Sequence, residues 1–449
     1  MVMIYISFSD DILYGKPLGV FGKKQEDLEA VHRCPREKRN LFALQLYFCS
    51  SIHYVCPMEL PGTQKRFDVA VVGGGPGGAT AARRLAQEGF RVILFEKEKL
   101  PRQKICAGGI IPAVLRGLPR QAERTIEKQC TRAEIHILDQ NLHFHISRNV
   151  PIVSMTMRSR FDHALVDAAE EAGAYVVSGC KVLDFRENGD GLDVHTVRGV
   201  FSTRFLVGAD GALSLVARKL GFAGPGYLVP ALEAEVQVDA DVFRRFESAA
   251  RFDFAVVSKG YGWVFPKKDH LSIGVGQMRK GKNHLENGFA RYLRHLGIEE
   301  SLASSKKGFV IPTMPRRDAF ARGSALLVGD AAGLGDPVTG EGISAAIESG
   351  EIAAAALVKG RLQPGPVKSY YEGALRRRIL NDLRWSRFVS QLAYDHPKIK
   401  RLLFRMCGQQ MCETMTDIIF GRQTYRSVFS NPLTYLRMLL PMQRRKPNP

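Results

Sequence analysis

The first clear pattern along the chain is a short apolar run, Phe67-Asp68-Val69-Ala70-Val71-Val72, rich in β-branched residues. Such a run reads as a buried parallel strand. It breaks into Gly73-Gly74-Gly75-Pro76-Gly77-Gly78, and an Ala-rich helical stretch follows from Ala79 to Gln87, with a stop at Gly89. A second strand, Arg91-Val92-Ile93-Leu94-Phe95, ends at Glu96. Together these predict a βαβ unit at the start of the patterned sequence.

Farther on, Phe161 to Ala172 has amphipathic helical spacing and a Gly173 stop, and the strand Phe205-Leu206-Val207-Gly208 runs into Ala209-Asp210-Gly211. Between Tyr227 and Gly276, alternating strand-like segments predict a separate sheet. Residues 324–358 return to strand, turn and helix, and from 366 onward the pattern is helical and basic. The predicted fold class is α/β: a Rossmann-type nucleotide domain with an inserted mixed β-sheet substrate domain and a helical C-terminal region. The expected nucleotide domain is discontinuous, with 66–120, 158–222 and 320–360 in it, 121–157 and 223–319 in the inserted sheet, and 361–449 in the basic helical region.

Residues 1–57 show no comparable periodicity. They lack the basic start, apolar middle and small-residue cleavage site of a signal peptide. The expectation is that translation starts at Met58 or that 1–57 is a loosely ordered extension. No apolar run is long enough to span a bilayer. A cytoplasmic protein is expected, with membrane contact limited to the periphery.

Charge changes the picture more than composition does. The net charge is +19, and from Arg376 to the end there are 15 Lys/Arg against 4 Asp/Glu. Such a balance favours an acidic partner. No helix-turn-helix, zinc-finger or RNA-recognition signature is present, so the expectation is an anionic membrane face or a pyrophosphate rather than nucleic acid. The eight cysteines show no CxxC spacing. The group His32, Cys34, Cys49, His53 and Cys56 matches no zinc pattern, so no metal site is expected, and the cysteines fit a reducing compartment.

The chemistry starts at the glycine-rich turn. A lone GxGxxG is weak, but Gly73, Gly75 and Gly78 lie between a strand and a helix, with an acidic strand end at Glu96. Gly73 permits the tight turn, Gly75 lets the backbone approach a pyrophosphate, and Gly78 permits close packing of helix on strand. Pro76 at the helix start and Lys97 beside Glu96 join them as candidate cofactor contacts. Glu96 suits the hydroxyls of an adenosine ribose and disfavours a 2′-phosphate.

Two later segments select FAD. Ala325-Leu326-Leu327-Val328-Gly329-Asp330 is a strand ending in Gly-Asp, and Asp330 is placed to bond a ribityl chain. Asp336-Pro337-Val338-Thr339-Gly340-Glu341-Gly342-Ile343 then leads into a helix whose free amides are expected to face the flavin pyrimidine edge. Pro337, Gly340, Glu341, Gly342 and Ile343 are therefore candidate cofactor residues. The middle motif, with Asp210 and Gly211, completes an ordered set of three.

These three motifs resemble the flavoproteins that share the aromatic-hydroxylase fold. Lys104-Ile105-Cys106-Ala107-Gly108-Gly109 resembles the Lys-x-Cys-Gly-Gly segment of geranylgeranyl reductases, with Ala107 where that family usually has Gly. Gly260-Tyr261-Gly262-Trp263-Val264-Phe265-Pro266 resembles that family's Tyr-x-Trp-x-Phe-Pro signature, with Ser258 in place of the usual upstream Pro. The resemblance covers about residues 66–430. It implies a reductase in which reduced FAD delivers hydride to a C=C bond of an isoprenoid chain, on an isoprenoid lipid or a prenyl diphosphate. The reductant would be NAD(P)H or ferredoxin, the latter an electron-donor protein. Cys106, Tyr261 and Trp263 are the candidate catalytic residues, with Cys106 or Tyr261 as proton donor. Gly108 and Gly109 are candidate flavin contacts, as is Arg160, since related flavoproteins bring an arginine near there to the FAD.

Two other functions share this frame. An aromatic monooxygenase or halogenase would use the same flavin with oxygen, but the Trp-x-Trp-x-Ile-Pro segment usual in halogenases is missing. A non-catalytic prenyl-binding protein would not need the Gly-Asp segment and the helix start after it.

Overall fold

The computed structural model describes residues 66–281, 284–303 and 305–430. The readings made for residues 1–57 and for the basic end beyond 430 lie outside them.

The apolar run forms the strand Arg66–Val72, the centre of a parallel sheet. Val92–Glu96 and then Tyr175–Ser178 pair on one side, Gly199–Gly208 and then Ala325–Leu327 on the other, all parallel. In chain order this is the 3-2-1-4-5 arrangement of a Rossmann sheet. The order reverses between Arg66–Val72 and Gly199–Gly208, so a crevice opens at the carboxyl ends of those two strands. The hairpin Val182–Asn188 and Gly191–Thr196 extends the first half of Gly199–Gly208 antiparallel.

Small residues set the helix layer. A Cβ on Gly350 of the helix Ile343–Lys359 would lie 2.4 Å from the Gly77 carbonyl oxygen, so this helix crosses directly on the phosphate-loop helix Pro76–Gln87. The helix Arg158–Glu171 flanks the same helix and buries Phe161, Leu165 and Val166.

The second sheet has seven strands in the order Lys307–Pro312, Leu228–Val236, Leu271–Gly276, Tyr261–Pro266, Ala249–Phe254, Arg132–Ile137 and Leu142–Ser147. All neighbours are antiparallel except Ala249–Phe254 with Arg132–Ile137, so the sheet is mixed. The strand period of two divides its side chains. Val264 joins the core under the helix Leu285–Leu296, while Tyr261, Trp263 and Phe265 face the other core. A three-stranded ribbon of Ile126–Cys130, Val153–Thr156 and Gly109–Ile110 joins the sheets.

The C-terminal region is helical, with Pro364–Leu375, a π-helical turn Arg376–Leu380, Asn381–Asp395, Pro397–Ile419 and Tyr425–Phe429. Pro397–Ile419 kinks at Cys407, and Gly408 lets it press on the strand Leu142–Ser147, since a Cβ there would lie 2.2 Å from the Phe144 ring.

Candidate flavin and prenyl site

The crevice is built by close backbone approach. Gly73 has φ +109, and a Cβ there would lie 2.3 Å from the Ala209 carbonyl oxygen. A Cβ on Gly78 would lie 2.0 Å from the Gly73 oxygen. Gly75 differs: the nearest atom to a Cβ there is an Arg102 nitrogen at 3.8 Å, so the space before the helix is open. Gly75 is also the N-cap and offers the helix no side-chain partner, with Pro76 just inside. Nη1 of Arg102 is buried there without a partner. Open space, an uncapped helix N-terminus and an unpaired cationic donor fit a pyrophosphate.

Arg102 escaped the reading of the sequence, yet it ties the end of the second strand to the helix Arg158–Glu171. It pairs with Glu96 and with Asp162, each at 3.0 Å. Glu96 also accepts from the amides of Gly74 at 3.0 Å and Glu98 at 3.1 Å. Three protein donors therefore hold the carboxylate proposed for the ribose, and one lone-pair direction remains open on it. Lys97 is exposed at the strand end.

Asp162 continues this ladder inward. It takes a bidentate pair from Arg158 at 2.7 and 2.8 Å. Burial alone would lower Arg158, but the Asp162 carboxylate and the Cys106 sulfur together offset it and raise the guanidinium above its ordinary value. The Arg158 guanidinium also lies near enough to the Cys106 sulfur to interact with it electrostatically. Arg160, the arginine expected at the flavin, is exposed and pairs with Glu127 at 3.1 Å. The buried arginine beside the site is Arg158, two positions earlier.

Cys106 is partly buried and packs against a core that includes Ile343 and Ile347 at the start of the helix Ile343–Lys359. The Gly108 amide faces its sulfur at 3.5 Å. Gly108 has φ +65, and a Cβ there would lie 2.0 Å from the Thr156 oxygen. Gly109 admits the Phe265 ring, which would lie 2.9 Å from its Cβ. Lys104 stacks its ammonium 3.5 Å from the centre of the Phe309 ring, and burial with the nearby Arg158 lowers its pKa. Asp330 is raised by burial, an effect that Lys104 and Arg158 reduce.

The Asp336–Ile343 loop is tied down from the C-terminal helices and from the second sheet. Asp336 accepts from the amides of Val338 and Thr339 at 2.8 Å each and from the Ser386 hydroxyl at 2.9 Å. Tyr394 donates to the Val338 carbonyl at 2.7 Å, and Tyr261 donates to that of Thr339. Pro337 is buried between these anchors. Gly340 has φ +72 and lies against Tyr261, whose hydroxyl would be 3.6 Å from a Cβ there. Gly342 faces Asp330 Oδ1 at 3.3 Å from its Cβ position. One amide expected to be free at this helix start, that of Ser344, is taken by Glu341 at 2.8 Å. Asp210 likewise caps its own helix, accepting from Leu215 and Val216 at 2.6 and 3.0 Å, next to Gly211 at φ +82.

Tyr261, Trp263 and Phe265 form one aromatic wall, extended by Phe252, Phe254 and Tyr394. The indole Nε1 of Trp263 is buried without a partner.

The FAD binding domain family model matches residues 66–360. The chain is 30% identical over 394 residues to the chloroplastic geranylgeranyl diphosphate reductase of Arabidopsis thaliana, covering 82% of each chain. It is 33% identical to digeranylgeranylglycerophospholipid reductase 2 of Methanothermobacter thermautotrophicus, over 72% of this chain and 86% of that one. The chain belongs to the geranylgeranyl reductase family of FAD-dependent oxidoreductases. The solved structure of a geranylgeranyl bacteriochlorophyll reductase-like protein from Thermoplasma acidophilum shares the fold, with a TM-score of 0.64 at 22% identity over 84% of this chain and 96% of that one. A flavin-dependent brominase shares it too, with a TM-score of 0.63 at 17% identity over 83% of this chain and 99% of that one. The Cys106 loop and the Tyr261–Pro266 strand meet in this enzyme where the Phe265 ring packs on Gly109.

Proposed function

We propose that this enzyme saturates C=C bonds of isoprenoid chains carried on a prenyl diphosphate or an isoprenoid lipid. The observation that supports this best is the convergence of Cys106, the aromatic wall and the Asp336–Ile343 loop. When bound and reduced, FAD supplies the hydride.

The chain's own residues supply the rest. Tyr261, Trp263 and Phe265 give the hydrocarbon a dry aromatic surface that excludes water. An isolated alkene accepts hydride poorly, so a proton must reach the second carbon as the first is reduced. Cys106 Sγ is the proposed donor. Arg158 and the Gly108 amide face the sulfur and stabilise the charge left when the proton departs, and solvent restores the proton afterwards. Gly73, Gly75, Pro76, Gly78 and Arg102 hold the pyrophosphate of the cofactor in this reading. Glu96 holds the ribose, and Asp330 with the Pro337–Ile343 segment holds the flavin end. The reductant is proposed to be NAD(P)H or ferredoxin.

Among the described residues no helix is long and apolar enough to cross a membrane. The helix Pro397–Ile419 nevertheless exposes Ile399, Leu402 and Met406 along one stripe, beside exposed Lys398, Arg401 and Arg405. An apolar stripe flanked by cations suits an anionic membrane surface, where isoprenoid lipids reside.

The test is anaerobic. The purified holoenzyme is reduced with dithionite and mixed with geranylgeranyl diphosphate or an unsaturated diether phospholipid, and flavin reoxidation is followed with mass spectrometry of the lipid. Reoxidation with a gain of two hydrogens per double bond is expected. Reoxidation only after oxygen enters would overturn the proposal in favour of a monooxygenase.

A further inference from the structure

The strand that carries the aromatic wall is followed directly by Lys267, a lysine with no solvent exposure at all. Its ammonium donates to the Ala107 carbonyl at 2.6 Å and to the Thr156 carbonyl at 2.8 Å. A buried ammonium needs such partners to offset the loss of water. What it holds is informative. The Ala107 carbonyl belongs to the same peptide group as the Gly108 N–H, and that N–H faces the Cys106 sulfur. Lys267 therefore grips one end of the peptide whose other end touches the thiol. Gly108 is built around the grip: a Cβ there would lie 2.7 Å from Lys267 Nζ.

We propose that Lys267 is a positioning residue for Cys106, acting through the Ala107–Gly108 peptide. The ammonium fixes the orientation of that peptide and polarises it, so that its N–H stays on the sulfur and favours negative charge there. The grip also couples the two family motifs, because Lys267 follows Pro266 directly while Ala107 follows Cys106. The substrate strand cannot shift without moving the thiol.

This inference rests on the prenyl reductase reading only for its catalytic consequence. Its test has one arm that does not. In FAD-loaded enzyme the rate of Cys106 alkylation by iodoacetamide is measured by peptide mass spectrometry at neutral pH. Lys267→Met, of similar size and uncharged, is expected to slow it at least fivefold, with the flavin spectrum unchanged; an unchanged or faster rate would overturn the proposal. In the second arm, prenyl-driven flavin reoxidation is compared for Lys267→Met, Cys106→Ala and the double variant. The double is expected to be no slower than Cys106→Ala alone, the mark of two residues acting as one unit; additive losses would overturn the coupling. If wild type itself reduces no prenyl substrate, the functional reading fails while the alkylation arm still decides the role of Lys267. Should Lys267→Met not accumulate as folded protein, Lys267→Gln, which keeps an N–H donor, undergoes the same alkylation test with the same expectation of a slower rate.

Discussion

Tyr261 donates its hydroxyl to the Thr339 carbonyl, seventy-eight positions away in the chain. Burial, and then the charge of Asp336, raise this phenol well above its ordinary value. Its proton is therefore engaged with the Asp336–Ile343 loop and poorly suited to protonate an alkene. Tyr261→Phe is expected to lower the reduction rate by no more than about tenfold, through a looser loop, whereas Cys106→Ala is expected to lower it by about a hundredfold or more. Single-turnover flavin reoxidation measures both. A reversed ranking would make Tyr261 the acid.

The phosphate loop offers a pair of glycines that look alike in sequence and differ in space. Gly75→Ala places its methyl in open space before the helix, so the protein is expected to fold while its FAD affinity falls at least tenfold by fluorescence titration. Gly78→Ala drives a methyl into the Gly73 carbonyl and is expected to cost roughly 3 kcal/mol of stability or more. Equal effects of the two on melting would contradict this division.

Glu233 is 6% exposed and accepts from the Ser272 hydroxyl at 2.9 Å. Burial, reinforced by Glu235, pushes its carboxyl up to about 7. A carboxyl raised on folding contributes stability that is full below its unfolded value and is lost as pH rises through the folded one. The protein is expected to lose about 3 kcal/mol from this group between roughly pH 4.5 and 7. Glu233→Gln should abolish that slope and melt higher than wild type at pH 8. Parallel melting curves against pH for the two proteins would refute it.

The stripe on Pro397–Ile419 makes a further prediction. Leu402→Ser with Met406→Ser should weaken sedimentation with phosphatidylglycerol vesicles at least fivefold and leave flavin content intact. High salt should weaken wild-type binding as well, since the flanking cations contribute. Equal binding to neutral and anionic vesicles would remove the electrostatic part of the argument.

Local pattern made much of this fold readable. The βαβ opening, the glycine turn and the alternation of Tyr261, Trp263 and Phe265 each depend on neighbours within a few residues. The ladder Glu96–Arg102–Asp162–Arg158 was not readable, because its members come from three segments and meet only in the fold. Arg158 and Arg160 show the difficulty closely. Two residues turn a helix by roughly 200°, so one arginine enters the core with Asp162 while the other faces out. The helix begins at Arg158 rather than at Phe161, and that offset concealed which arginine is inside. The strands Arg132–Ile137 and Leu142–Ser147 lie in the stretch 121–157 assigned to the inserted sheet, but their individual bounds were not legible. They carry His136, His143, His145 and Glu134 on partly solvated faces, so their apolar alternation is weak. Lys267 was not singled out, since nothing beside Lys268 indicates that it will be buried against a carbonyl 160 positions upstream.

The parallel sheet draws its strands from widely separated stretches of chain, and Ala325–Leu327 closes it only after the whole second sheet has intervened. On the ribosome, the nucleotide crevice therefore cannot be completed until most of the polypeptide has emerged. The strand Arg66–Val72 must wait, apolar and half-paired, for partners made much later. Such a chain needs shelter during synthesis, and cofactor capture falls at the end of its maturation rather than at the start.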